Sequence, residues 1–144
     1  MAIIFRDASS NDLPYILEIV RSVSGDYKDV VPEQFLIAED ENKIVGCVRI
    51  KKTTDFFELA SLCVSPEYRG KGIGSNLVIK ILKRFNNRPI YLLCSEKRQG
   101  FYQNLGFVVV ATAKLPVAMK EEYKRILQKP FLKDIKTIAM IISH

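Results

Sequence analysis

Apolar and polar positions recur along this chain with two periods, near 3.6 and near 2, and the switches between them mark its elements. Residues 3–6 read as a short opening strand, after which Ser9, Ser10, Asn11 and Asp12 offer capping side chains and an early acid. Leu13, Ile16, Leu17, Ile19 and Val20 follow at helical spacing, predicting a helix to about Ser22. Residues 25–32 form a loop or a short second helix. Strands over 35–39 and 44–50 flank a turn at 40–43, and a third strand over 56–64 ends at Ser65-Pro66. Leu77, Val78, Ile81 and Leu82 then define one face of a helix over 74–85. Residues 89–94 are a buried, β-rich run. A short helix over 97–105 is closed by Gly106, where a left-handed residue is favoured. Strands over 107–112 and 136–142 complete the pattern. Between them, residues 115–134 are too long for an ordinary hairpin loop, and Val117, Met119, Tyr123, Ile126 and Leu127 are loosely helical up to Pro130. The segment is either a lid over a substrate or merely a decorated turn, and substrate contact is the expected reading, because long connections in compact domains often carry function.

The order is strand, helical region, three strands, helix, strand, helix, two strands. An antiparallel meander leading into a parallel crossover predicts an α/β (α+β) fold with a mixed sheet and flanking helices. A length of 144 residues fits one domain spanning 1–144. With 48% apolar and 26% charged residues the composition is that of an ordinary globular chain, and no run of 18 apolar residues or signal-peptide pattern occurs. The expected location is cytoplasmic, with no membrane partner. Cys47, Cys63 and Cys94 lie in apolar runs, form no CxxC pair and have only His144 as an imidazole, so buried thiols are expected rather than a metal site. The net charge of +6 raises the question of nucleic acid, yet the basic residues are spread along the chain with no massed tract. No nucleic-acid partner is expected.

Residues 69–74, Arg-Gly-Lys-Gly-Ile-Gly, follow the third strand of the meander and open the next helix. Three glycines in five positions would each cost about 1 kcal/mol in a helix interior. They suit a sharp strand-to-helix turn whose first free N–H groups meet an anion, with the helix dipole behind them. Arg69 and Lys71 add charge. The dinucleotide fingerprint fails because position 75 is Ser75, and no Gly-Lys-Ser/Thr tripeptide exists for a Walker loop. The pattern present is R-x-x-G-x-G at Arg69, Gly72 and Gly74. With its flanks, ELASLCVSPEYRGKGIGSNLV, it resembles the acetyl-CoA loop of the GNAT superfamily of N-acetyltransferases. The segment Phe101-Tyr102-Gln103-Asn104-Leu105-Gly106-Phe107 resembles the FYxxxGF segment of the same family. The likeness covers most of residues 1–112 and is weakest over 113–135.

The resemblance implies a GNAT acyl-CoA N-acyltransferase fold, acetyl-CoA as co-substrate and no metal. Its two parallel strands, here 56–64 and 89–94, splay to admit the pantetheine arm. Leu62, Cys63 and Val64 would line that arm, while Arg69, Gly70, Lys71, Gly72, Ile73, Gly74 and Ser75 would hold the diphosphate. Ser95 stands where many relatives carry an asparagine that bonds pantetheine, and Asn104 is a further coenzyme candidate. Tyr102 would protonate the departing thiolate, a task suited to a phenol that is protonated at neutral pH. Glu58, alone among apolar neighbours, would deprotonate the amine, with Glu39 or a water chain as alternative. A solvated strand residue paired with Lys51 or Lys52 is the other reading of Glu58.

The expected activity is transfer of acetyl from acetyl-CoA to a primary amine, on a small molecule, peptide or protein, by direct attack in a ternary complex. The alternative is a non-catalytic acyl-CoA-binding module. By the same resemblance Asp26, Asp29 and Glu33 lie in the region that shapes the acceptor side, where they would meet a cation such as a polyamine, lysine or peptide N-terminus; solvated loop acids are the other reading. The chain is expected to be a monomer or homodimer.

Overall fold

The computed structural model describes residues 2–22, 29–129 and 135–144. Their elements are β1 (Ile3–Asp7), α1 (Leu13–Ser22), β2 (Phe35–Asp40), β3 (Lys43–Lys52), β4 (Phe57–Val64), α2 (Ile73–Arg84), β5 (Ile90–Ser95), α3 (Gln99–Gln103), β6 (Val108–Val110), α4 (Val117–Leu127) and β7 (Thr137–Ile142). Short 3-10 turns precede α1, β2, α2, α3 and α4. The residues fall into two compact units, Met1–Lys51 with Leu59–Asn86, and Lys52–Glu58 with Asn87–His144. Strand β4 contributes to both.

In the first unit the strand order is β1-β2-β3-β4. β1 and β2 pair antiparallel from Ile3↔Asp40 to Asp7↔Leu36, and β2 and β3 form an antiparallel hairpin from Phe35↔Arg49 to Asp40↔Lys43. α1 forms because the Ser9 N–H donates to Asp12 Oδ2 at 2.8 Å, closing the expected cap. Arg6 grips the same carboxylate with both Nη atoms at 2.9 Å and reaches Glu39 at 3.2 Å. The apolar stripe of α1, Ile16, Ile19 and Val20, packs with Phe35, Ile37, Cys47 and Cys63. Each such side chain removed from water contributes about 1.5–3 kcal/mol. α2 buries Ile73, Leu77, Val78, Ile81 and Leu82, the face its spacing predicted. A Cβ on Gly46 would stand 3.1 Å from Leu77 Cδ1 and 3.2 Å from the Cys63 carbonyl, so the bare α-carbon is what admits the start of α2 against β3.

In the second unit the order is β4-β5-β7-β6. β4 and β5 are parallel at Phe57↔Ile90 and Glu58↔Tyr91, which makes the sheet mixed as expected. β7 runs antiparallel to β5 over Ile90↔Ile142 to Ser95↔Thr137 and to β6 over Val108↔Ile141 to Val110↔Ala139. The last strand thus enters between β5 and β6. The long connection contains α4, whose Met119 is fully buried with Phe56, Leu115 and Ala139. Tyr123 Oη donates to the Thr137 carbonyl at 2.9 Å, so the inner side of α4 covers the sheet.

Candidate active site

The first unit gathers the expected coenzyme loop. β4 ends where the Ser65 N–H donates to the Val45 carbonyl at 2.8 Å, and Pro66–Tyr68 form a 3-10 turn. Arg69 Nε then folds back onto the Val64 carbonyl at 3.1 Å. Gly72 caps α2 at φ 79° with no side-chain cap on the helix N-terminus, and Gly70 adopts φ 75°. The left-handed region costs a residue with Cβ about 1–2 kcal/mol, which is why glycine stands there. The N–H groups of Ile73, Gly74 and Ser75 belong to the first turn, which has no partner within the helix. A Cβ on Gly70 would meet nothing within 4 Å, and one on Gly72 only Asn76 Nδ2 at 4.0 Å. The loop is therefore open above an uncapped helix end, a geometry that fits an anion. Lys71 is exposed beside it, whereas the Ile73 side chain is core and only its main chain faces the loop.

On β4 the Cys63 side chain packs with Phe35 and Ile37. It offers a ligand only its main chain, while half-buried Leu62 and Val64 occupy the alternate positions. Cys47 is pushed well above the ordinary thiol range by its hydrogen bond with Cys63 and by burial. Cys94 is only partly buried, less than expected, and burial raises its thiol to about 11 against the opposing charge of Arg98. Raised thiols suit packing rather than nucleophilic attack.

Glu58, Tyr102, Ser95 and Asn104 all belong to the second unit. Glu58 is 4% exposed and so is not a solvated strand residue. Tyr102 is 6% exposed on α3, edge-on to Phe101 at 5.0 Å and to Phe107 at 5.9 Å between centroids. The Phe107 N–H returns to the Tyr102 carbonyl at 3.1 Å, and Gly106 at φ 104° makes that reversal. Ser95 Oγ accepts from the Lys97 N–H at 3.2 Å and so caps the turn leading into α3. Asn104 is exposed at the end of α3. Glu39, the alternative base, is held by Arg6 in the first unit.

Of the expected acceptor-side acids, Asp29 and Glu33 are exposed and Asp26 lies outside the described residues. Among the described residues no three acidic, cysteine or histidine side chains cluster to hold a metal, and no helix is long and apolar enough to cross a membrane. Sequence reasoning missed Gly46, whose signal was a glycine inside an otherwise apolar strand, and the Tyr68 Oη bond to Asp40 Oδ2 at 2.7 Å.

Known proteins agree with this architecture. An amino-acid acetyltransferase of Buchnera aphidicola is 30% identical over 135 residues, covering 82% of this chain and 30% of the relative. The corresponding protein of Neisseria meningitidis is 26% identical over 132 residues, covering 83% and 30%. The chain thus spans about a third of the length of these curated relatives. N-acetylglutamate synthase from Neisseria gonorrhoeae, complexed with coenzyme A and N-acetyl-glutamate, superposes with TM-score 0.79 at 19% identity, over 99% of this chain and 35% of that one. A GNAT-family acetyltransferase from Staphylococcus aureus gives 0.70 at 19% identity over 99% of both chains. The fold is therefore the GNAT acyl-CoA N-acyltransferase fold. The family model for the acetyltransferase (GNAT) domain matches residues 32–109, more than half of the sequence and the whole of the glycine cradle, and the chain belongs to that family.

Proposed function

We propose that residues 1–144 act as one acetyl-CoA-dependent N-acetyltransferase domain, moving the acetyl group to a primary amine by direct attack in a ternary complex. The observation that carries the reading is the uncapped start of α2 behind Gly70 and Gly72, a cradle fitted to a diphosphate. Arg69, Gly70, Lys71, Gly72, Ile73, Gly74 and Ser75 hold that diphosphate, chiefly through main-chain N–H groups. Leu62, Val64 and the main chain of Cys63 line the pantetheine arm, with Ser95 and Asn104 as further coenzyme contacts. Bound acetyl-CoA supplies an activated thioester. Glu58 takes the proton from the attacking amine, and Tyr102 gives its phenolic proton to the sulfur as the C–S bond breaks. Burial of both side chains supports these roles, since proton transfer is best controlled where water is excluded.

The acceptor is the α-amine of an amino acid. The names of the relatives support this class, as does the N-acetyl-glutamate held by the gonococcal synthase. The test is a free-thiol assay with acetyl-CoA against a panel of amino acids, polyamines and lysine peptides, with products identified by mass spectrometry. Acetylation confined to amino-acid α-amines supports the proposal. Coenzyme A binding with no acetyl transfer to any amine points to a binding module instead.

A further inference from the structure

The tip of the β2–β3 hairpin grips the turn that feeds the glycine cradle. Its two connecting residues, Glu41 and Asn42, stand at φ 48° and 66°, the twist of a two-residue hairpin, although neither is glycine. Asp40 and Lys43 flank them as the last residue of β2 and the first of β3. Tyr68 Oη donates to Asp40 Oδ2 at 2.7 Å, a charge-assisted hydrogen bond that pushes the phenol up. Lys43 Nζ comes within 3.8 Å of Glu67 Oε1, an exposed pair that adds little. Tyr68 is itself fixed by its N–H to the Ser65 carbonyl at 2.9 Å, and the next residue, Arg69, begins the loop.

A loop containing Gly70 and Gly72 loses more freedom on ordering than one built of other residues. If that freedom remained in the free protein, the ligand would have to remove it on binding, at the expense of affinity. The Tyr68 hydroxyl lies next to the flexible stretch and ties it to a paired strand.

We propose that Tyr68 and Asp40 are positioning residues: through their hydrogen bond the β2–β3 hairpin holds the 69–74 loop in its diphosphate-binding form before coenzyme A arrives. The inference rests on the acetyl-CoA reading above. Neither residue touches the reacting atoms. Their removal weakens coenzyme A and leaves turnover at saturating acetyl-CoA unchanged.

The experiment is calorimetric titration of the wild type, Tyr68→Phe, Asp40→Ala and the double variant with coenzyme A. A parallel NMR titration uses pantetheine, which has no diphosphate. Because the bond acts only through the ordering of the loop, part of its energy reaches the ligand, and coenzyme A binding is expected to weaken roughly three- to tenfold in either single variant. The double variant falls no further, because one bond serves both residues. Asp40→Asn, which keeps a neutral acceptor, recovers part of the loss. Pantetheine affinity stays at the wild-type value, which general loosening of the fold would not allow. Equal coenzyme A affinity in all variants overturns the inference and leaves the acetyl-CoA reading intact. A matching loss for pantetheine also overturns it. A wild-type protein that does not bind coenzyme A removes the reading and the inference together.

Discussion

Replacing Gly72 with alanine tests the cradle, provided its effect on folding is separated from its effect on the ligand. Gly72 stands at φ 79°, where a Cβ costs about 1–2 kcal/mol. No collision adds to this, since the nearest atom to the new methyl is Asn76 Nδ2 at 4.0 Å. For a chain of 144 residues each kcal/mol lowers Tm by about 3 °C, so Gly72→Ala should melt roughly 3–7 °C lower. Gly106→Ala is the control. Its φ of 104° lies further from the left-handed helical well, so its strain is at least as large, and its Cβ would meet Ile142 Cδ1 at 3.1 Å, a side-chain end able to swing aside. Both variants lose stability, but only Gly72 lies among the proposed diphosphate donors. Displacing one or two charge-assisted hydrogen bonds of about 1.5–3 kcal/mol each weakens coenzyme A by at least about tenfold. Differential scanning calorimetry reads the first quantity and isothermal titration the second. If the two variants melt alike and bind coenzyme A like the wild type, the anion is not held at this helix end.

Tyr102→Phe and Glu58→Gln should keep coenzyme A affinity and lower turnover by about 10²–10⁴-fold, measured by thiol release under conditions where chemistry limits the rate. Unchanged turnover in either variant removes that residue from the proton transfers. The Asp12 carboxyl is held down to about 2 by its hydrogen bonds to Arg6, against the opposing effect of burial. Its folded value lies below the unfolded one, so its stabilising contribution is complete above about pH 4 and fades between pH 4 and 2. Urea denaturation of wild type and Asp12→Asn should show a stability gap that narrows across that window; a gap independent of pH refutes the pairing. Gly46→Ala places a methyl 3.2 Å from the Cys63 carbonyl, which cannot rotate away, and over-packing of about 1–3 kcal/mol should lower Tm by roughly 3–10 °C. An unchanged Tm would mean that α2 has room to shift.

The parts of the fold legible in the sequence are those set by local chemistry. The stripe Leu77, Val78, Ile81 and Leu82 and the cap at Ser9 and Asp12 specify their helices from a few adjacent residues. The cradle is equally local, since a strand, a basic glycine run and an amphipathic helix follow without interruption. Strand pairing is not local. β7 lies between β5 and β6, and nothing in Thr137–Ile142 says which neighbours it will take, because its nearly continuous apolar run suits a hairpin with β6 as well as insertion. The decisive element is α4, whose pattern is diluted by Lys120, Glu121, Glu122, Lys124 and Arg125 and buries only Met119 fully. A segment with so narrow an apolar edge reads as an adorned loop until the sheet beneath it is known. Glu58 shows the converse, since alternation placed it opposite its apolar neighbours while only the structure buried it.

The cradle's shape follows from residues that never face a ligand. Gly46 sets how closely α2 approaches β3, the Ser65 N–H fixes the end of β4 to Val45, and Tyr68 fixes the turn to Asp40. Each of these three contacts joins the segment to β2 or β3 rather than to itself, beside the local bonds of Tyr68 to Ser65 and of Arg69 to Val64. That division is physically required. Glycines that let main-chain N–H groups converge on an anion cannot also hold themselves there, because the freedom that admits φ near 75° admits many other conformations. An anion site built on main-chain donors needs a rigid frame around it, and the proposed role of Tyr68 and Asp40 assigns that frame to the hairpin of the first unit.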